Sequence, residues 1–322
     1  MRNIYLNIHK PNLTNLKKAK KSIENNNVIG IPTETVYGLA GNAYSNKCVE
    51  KIFKLKKRPV YNPLIIHFKN LNDLKNNVML NTNFKKLYSV FCPGPITFIL
   101  KKKKRSKISK IATAGKKTVA VRIPKHRVAR NLLGILKCPL AAPSANISTR
   151  LSAVTASDVN EEFRGKVKFI IKGGRSKIGI ESTIIDISKK PIILRPGGLE
   201  VEKIEKVLKK KLRIKKKIKK IISPGQLKFH YSPGIPVRIN IKVPKKNEAF
   251  IQFFKKGKSR KNYFYLSNKG NTKEAAKKLY FLLRLIKNMK YKSVAIGKIP
   301  NNGLGLAIND RLKHASYKKE KI

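Results

Sequence analysis

Cations and small hydroxyl residues recur in this chain at the ends of short apolar runs, a placement suited to holding anions. After the apolar run 28–31, Pro32 leads into Thr33 and Thr35, with Tyr37 beside Gly38. About one helix later come Lys56, Lys57 and Arg58, then Asn62-Pro63 and a second apolar run, 64–68, that carries His67. Lys56 and Arg58 can face one phosphate if the helix has ended before Pro59, because the residue before a proline is biased away from helix. Arg grips phosphate or carboxylate with two prongs, whereas Lys acts as a point charge. The same pair also fits a solvated helix end in a chain this basic. Ser144 and Asn146 follow the run 139–142, either as turn formers or as ligands for phosphate or ribose oxygens. Ser182 opens the run 183–187, and Arg195 closes the run 192–194. Arg122 interrupts the strand-like stretch 118–123. An unpaired buried guanidinium is costly, so it requires either a substrate carboxylate or a structural one such as Asp186 or Glu181. His67, alone on its strand, also fits a satisfied core histidine.

What is missing narrows the chemistry. There is no G-x-x-x-x-G-K-[ST] loop; Gly115-Lys116-Lys117-Thr118 lacks the upstream glycine and the right order. No G-x-S-x-G, H-E-x-x-H or G-x-G-x-x-G occurs, and Asp and Glu total only 16, too few for an evident carboxylate pair. Hydrolysis by a triad or by a protein-held metal pair is therefore not indicated, and no metal site is expected. Nucleotidyl transfer survives, because it depends on positioning and on cations around spreading phosphate charge. Cys48, Cys92 and Cys138 are single and widely spaced, which suggests reduced thiols and neither a zinc site nor a disulfide framework. The amino terminus lacks the apolar core of a signal peptide, and no run approaches a membrane span, so the reading is cytoplasmic with no membrane contact. Lys and Arg number 75, for a formal charge of +59. Basic surface attracts polyanions. Here the excess is spread along a chain crowded with Lys, Asn and Ile, so most of it reflects compositional drift.

The elements that must position these residues follow from periodicity. Leu16, Ala19 and Ile23 share one helical face, as do Val49, Ile52 and Phe53. Strands are expected at 28–31, 64–68, 96–100, 118–123, 139–142, 167–171, 183–187 and 192–194, and helices around 83–91, 127–136 and 156–163. This alternation predicts an α/β fold with a mixed, twisted sheet flanked by helices. Residues 101–107 form a basic loop. Past Arg195-Pro196-Gly197-Gly198 the texture changes: a helix at 199–208, a lysine-dense stretch 209–220, then SPGQLKFHYSPGIPV at 223–237, whose prolines and glycines argue for a linker. Val237, Ile239, Ile241 and Val243 alternate as a half-buried strand. Further strands at 249–254, 263–266 and 293–299, a helix with an Asn271/Glu274 capping pair and a final helix at 304–315 make a second, small Rossmann-like α/β unit. The expected division is 1–207, a linker 208–236, and 237–322.

In order, the segments PTETVYGL, KKRPVYNPLIIH, PGPIT, VAVRIP, APSANIS, GIESTIID and ILRPGG resemble those of the Sua5/YrdC/YwlC family. The linker SPGQLKFHYSP and the closing GLGLAINDRL are similar to its longer, two-domain members. The resemblance implies a YrdC-like catalytic domain, a linker that closes over the active site, and a Sua5-type carboxy-terminal domain. It further implies an L-threonylcarbamoyladenylate synthase, a nucleotidyltransferase that converts L-threonine, bicarbonate and ATP into threonylcarbamoyl-AMP and diphosphate. A separate tRNA threonylcarbamoyl transferase would then modify adenosine 37 of tRNAs reading ANN codons. By that resemblance Thr35, His67, Arg122, Ala142 and Ser182 hold threonine, while Arg58, Asn62, Thr118, Ser144, Asn146, Ser152, Arg195 and Tyr231 hold ATP. Lys56 and Arg58 would act on the phosphates, and Mg2+ would arrive on ATP. Departures from the family pattern are Cys92 where Trp is common, Lys172 where an acidic residue is common, and Thr149-Arg150-Leu151 where Gly-Arg-Pro is common. The last of these loosens the assignment of Ser152.

Two other readings remain. A double-stranded RNA or tRNA-binding module would bind RNA with a steep salt dependence, and even the enzyme could make a weak tRNA or RNA contact. A carbamoyl-adenylate domain of hydrogenase-maturation type lacks support, because no zinc-finger cysteines or acylphosphatase-like segments are present.

Overall fold

Short apolar strands alternate with capped amphipathic helices through the first two thirds of the chain. The structure is a computed structural model that describes residues 6–215, 223–225, 227, 229–255 and 260–317. The first unit begins with β1 (Ile8–His9), α1 (Leu13–Glu24), β2 (Ile29–Ile31), β3 (Gly38–Asn42), α2 (Asn46–Lys56) and β4 (Ile65–His67). It continues with α3 (Leu71–Lys75), α4 (Thr82–Phe91), β5 (Ile96–Lys101), β6 (Thr118–Arg122), α5 (Arg127–Ile135) and β7 (Leu140–Ala141). α6 (Ala156–Phe163), β8 (Ile170–Ile171), β9 (Thr183–Asp186), β10 (Ile192–Arg195) and α7 (Val201–Leu208) complete it.

The strands form one mixed sheet in the order β1-β8-β2-β3-β7-β4-β6-β5-β9-β10. β2, β4 and most of β5 and β6 are buried, because helices cover the sheet, which is why they read as continuous apolar runs. Helix starts are set locally. Asn12 accepts from the Asn15 N–H, Ser45 from Cys48 N–H, and Thr155 with Asp158 makes a reciprocal capping box. α2 ends at Lys56, and Lys57 turns left-handed (φ 49°), so Arg58 leaves the helix and enters the sheet rim.

β3 was not expected from sequence. Its residues, Gly-Leu-Ala-Gly-Asn, lack the β-branched and aromatic content that marks a strand. It pairs antiparallel to β2, with Ile31 opposite Gly38, so the hydroxyl turn 32–37 is a hairpin tip. A side chain at Gly41 would overlap Cys48 Sγ of α2, which explains the glycine.

The second unit comprises β11 (Val237–Ile239), β12 (Ala249–Phe254), β13 (Tyr263–Ser267), α8 (Thr272–Asn288), β14 (Val294–Ile296) and α9 (Leu304–Ser316). Its sheet is parallel, in the order β11-β14-β12-β13. β11 stops short of the expected alternation: Asn240 is left-handed (φ 59°) and Val243 is exposed. Asn271 caps α8 as expected, but the Glu274 carboxylate accepts from Ser267 and Asn268 rather than from the cap residue. The apolar core of this unit is continuous with Val36, Leu151, Val154 and Ile180 of the first. The two units therefore share buried surface beside the hairpin tip. Parts of the lysine-dense stretch and linker, residues 216–222, 226 and 228, lie outside the described residues, as do residues 1–5 of the amino terminus.

Candidate active site

The rim of the large sheet lines a narrow cavity of about 30 Å3, room for little more than water with the linker over it. Thr33, Thr35, Arg58, His67, Arg122, Ala142, Ser144, Glu181, Ser182, Arg195 and Tyr231 all line it. They come from the β2–β3 tip, the segment after α2, the ends of β4, β6, β7 and β10, the start of β9, and the linker.

One end is organised around Arg122. β4 and β6 are parallel neighbours with His67 opposite Arg122, so both side chains reach the same rim. Arg122 donates from Nη1 to Thr35 Oγ1 (2.9 Å) and from Nη2 to Glu34 Oε1 (2.8 Å). Glu34 Oε2 accepts from the backbone N–H groups of Lys125 and His126. Burial alone would push the Glu34 carboxyl up, but Arg122 and these donors bring it below its ordinary value. The structural partner of Arg122 is therefore Glu34. Of the carboxylates considered from sequence, Asp186 accepts from Ser188 and Glu181 pairs with Arg311. His67 is held far below its ordinary pKa by burial and then by the Arg122 charge, so it is neutral at pH 7. Its Nδ1 is buried with no protein partner among the described residues, a polar atom awaiting a ligand.

The other end gathers cations that no described carboxylate neutralises. Arg58 donates from Nε to Asn62 O (2.9 Å) and from Nη2 to Asn62 Oδ1 (2.6 Å) and Pro63 O (2.8 Å). Burial and the neighbouring Arg195 charge lower it to about 9. A register irregularity in β10 between Ile193 and Arg195 interrupts the ladder with β9 at this end. Arg195 donates to Ser182 O from Nη2 (2.8 Å) and Nε (3.2 Å). Ser182 Oγ in turn meets Thr97 Oγ1 at 2.8 Å. Among the described residues Lys56, Arg58 and Arg195 form no ion pair. Buried positive charge answered only by carbonyls demands an anion.

Several candidates act behind the wall rather than on it. Lys56, buried and held well below its ordinary pKa by burial and then by Arg58, donates to Ser144 O and Asn146 O, both at 2.5 Å. Asn146 accepts from Ser144 Oγ and donates to Ile147 O and Arg150 O. Together they shape the loop that presents Ser144. Asn62 serves Arg58. Ser152 donates to Glu181 Oε1 at 2.5 Å and is fully buried. Thr118 opens β6, four residues and about 13 Å along an extended strand from Arg122, and is not among the lining residues.

The linker roofs the cavity. Pro224, Gly225, His230 and Tyr231 line it, Ser232 N–H donates to Thr149 O, and His230 N–H donates to His314 O. Tyr231 is 1% exposed, left-handed at φ 60°, and stacked 6.2 Å from Tyr280. Its hydroxyl is buried with no described partner. Sequence reasoning missed Glu34, Tyr280 and Arg311. The signals existed: a carboxylate inside a hydroxyl turn of an acid-poor chain, and an Arg on the apolar face that Leu304, Ala307, Ile308, Leu312 and Ala315 define. Among the described residues no cluster of three His, Cys, Asp or Glu could hold a metal ion, and no helix is long and apolar enough to cross a membrane.

Fold and site together define a class: a mixed α/β protein with a cation-lined, linker-roofed pocket for anionic ligands. The chain belongs to the Sua5–YciO–YrdC family. That family's model, described as "Telomere recombination", matches residues 21–197, and a second, described as "Threonylcarbamoyl-AMP synthase, C-terminal domain", matches residues 199–316. The chain is 37% identical to the threonylcarbamoyl-AMP synthase of Pyrococcus abyssi over 94% of both sequences. It is 34% identical to that of Bacillus subtilis, over 94% of this chain and 92% of the relative. The crystal structure of P. abyssi Sua5 complexed with L-threonine superposes with a TM-score of 0.87 at 33% identity, covering 96% of each chain.

Proposed function

We propose that this protein is an L-threonylcarbamoyladenylate synthase. Threonine nitrogen and bicarbonate combine to a carbamate with loss of water. A carbamate oxygen then attacks the α-phosphorus of ATP, the bond to the β-phosphate oxygen breaks, and diphosphate leaves. The observation that carries this reading is the pair of adjoining environments in one cavity. Thr35, neutral His67 and Arg122 offer hydrogen bonds at one end, with Ala142 and Ser182 beside them, as L-threonine and its carbamate require. Arg58 and Arg195, with Lys56 behind them, supply unneutralised charge for the triphosphate at the other. Ser144 and Tyr231 complete the nucleotide side, and Asn62, Asn146 and Ser152 support it from behind. Thr118 would have to contact ATP from outside the cavity's present lining. Mg2+ comes with ATP as part of the substrate.

The roof gives the reaction a dry volume. A mixed carbamic–phosphoric anhydride hydrolyses easily, and Tyr231 over the cavity excludes water while it forms. The described roof residues, Pro224, Gly225, His230 and Tyr231, lift to exchange nucleotide and product. The product passes to a tRNA threonylcarbamoyl transferase that modifies adenosine 37 of tRNAs reading ANN codons, in the cytoplasm, where the basic surface makes weak contact with tRNA.

The test is direct. Purified protein with Mg-ATP, bicarbonate and threonine should release diphosphate only when threonine is present. Threonine-independent release, or none, refutes the reading. Arg58→Ala should remove most of that turnover while the protein stays folded by circular dichroism; unchanged turnover would take Arg58 out of the site.

A further inference from the structure

Glu181 is a carboxylate in a cavity otherwise arranged for anions. It lines the wall directly before Ser182, 5% exposed. Glu34, which lies behind the wall, is matched by Arg122 of its own unit. Glu181 has no such local partner and is matched from the second unit: Arg311 Nε on α9 donates to Oε2 at 2.9 Å, and Tyr280 OH on α8 lies 3.1 and 3.0 Å from the two oxygens. With Ser152 on Oε1, both oxygens are occupied. Burial would push this carboxyl up, yet the Arg311 and Arg195 charges and these donors hold it at about 2.

Arg311 does more than close this pair. It is 1% exposed, and its Nη1 donates to Pro196 O (2.9 Å), the residue after Arg195, and to Asp310 Oδ2 (2.6 Å). Its guanidinium carbon lies 4.9 Å from the Tyr231 ring centroid, within cation–π range. One side chain of the second unit thus touches the start of β9, the end of β10 and the roof. Without it Glu181 would carry a bare negative charge toward the phosphate end, and the nearest unpaired cation, Arg195, would be drawn to it.

We propose that Arg311 is a positioning residue for the nucleotide. It cancels Glu181, so that Arg195 and Arg58 keep their charge for phosphate, and it supports the Tyr231 ring from beneath. The second unit then sets the electrostatics of the ATP half of the site as well as anchoring the linker. This inference rests on the nucleotide-binding reading above.

The experiment compares wild type, Arg311→Met, and Arg311→Met with Glu181→Gln, reading KM for ATP and for threonine, and the ATP-induced rise in melting temperature. Arg311→Met should raise the ATP KM about 10- to 100-fold with the threonine KM changed less than about twofold. Removing the Glu181 charge as well should bring the ATP KM back to within about threefold of wild type, because a buried pair removed together leaves no orphan charge. A double variant no better than the single, or both KM values rising together, overturns the proposal and leaves a merely structural bridge. If Arg311→Met does not fold, the double variant decides alone: an ATP KM about tenfold or more above wild type overturns the proposal. The wild-type controls keep the two readings apart. Absent threonine-dependent diphosphate in wild type refutes the synthase reading, whereas the thermal response to ATP still tests Arg311.

Discussion

Gly197 provides the sharpest perturbation of the phosphate end. It sits two residues beyond Arg195, where the end of β10 crosses the start of β9. A Cβ there would lie 2.5 Å from both Glu181 O and Ser182 O, and closer still to the Ser182 carbonyl carbon. All three are backbone atoms, so no side chain can swing aside. Ordinary contact needs about 3.5 Å, so Gly197→Ala must push the two segments apart by about 1 Å. The cost in stability should be about 1–3 kcal/mol, the range for overpacking a tight interior. The catalytic cost should be larger in relative terms. Arg195 is held through Ser182 O at 2.8 and 3.2 Å, and a shift of about 1 Å in a positioned group is worth about 100-fold in rate. The assay is threonine-dependent diphosphate release, with urea unfolding alongside. Gly134→Ala is the control: it lies in α5, and a Cβ there meets nothing within 4 Å. It should keep full activity and gain about 0.5–1 kcal/mol. Gly197→Ala with turnover within about threefold of wild type would refute the reasoning that this close approach sets Arg195.

Two further outcomes follow from buried charge. Glu34→Gln breaks the buried pair with Arg122, and should cost about 3 kcal/mol of stability and raise the threonine KM while leaving the ATP KM near wild type; an ATP effect of equal size would mean that Arg122 serves both ends. Acid should destabilise the fold in two stages. Burial depresses both His67 and His230 far below 6.5, so the unfolded chain takes up their protons first and stability falls as pH drops through about 6.5, by about 1.4 kcal/mol per pH unit for each histidine. Glu181, held at about 2 against an ordinary 4.5, adds a second loss between those values, since its stabilisation is fully present above the unfolded pKa and disappears as pH falls through the folded one. Urea midpoints equal at pH 7 and pH 5.5 would contradict the first stage.

Local pattern carried much of this molecule. The helical faces of α1 and α2, the caps Asn271 and Thr155 and the apolar strands that end in Arg122 and Arg195 all depend on neighbours within a few residues, and such signals survive in a bare sequence. β3 escaped because its Gly-Ala content packs under α2 by absence of side chain rather than by any pattern of its own. That strand makes the turn 32–37 a hairpin tip, and so delivers Glu34 to Arg122.

What the amino-acid order decided alone was which residue types stand at strand ends and in what succession, because burial periodicity and turn chemistry are short-range. Which cation answers which carboxylate was settled only by tertiary structure. Arg122 and Glu34 are 88 residues apart, and Arg311 and Glu181 are 130 apart. A buried guanidinium announces in sequence that it needs a partner; only the fold can choose among distant ones, because the choice is made by which carboxylate the packed elements bring within about 3 Å of it.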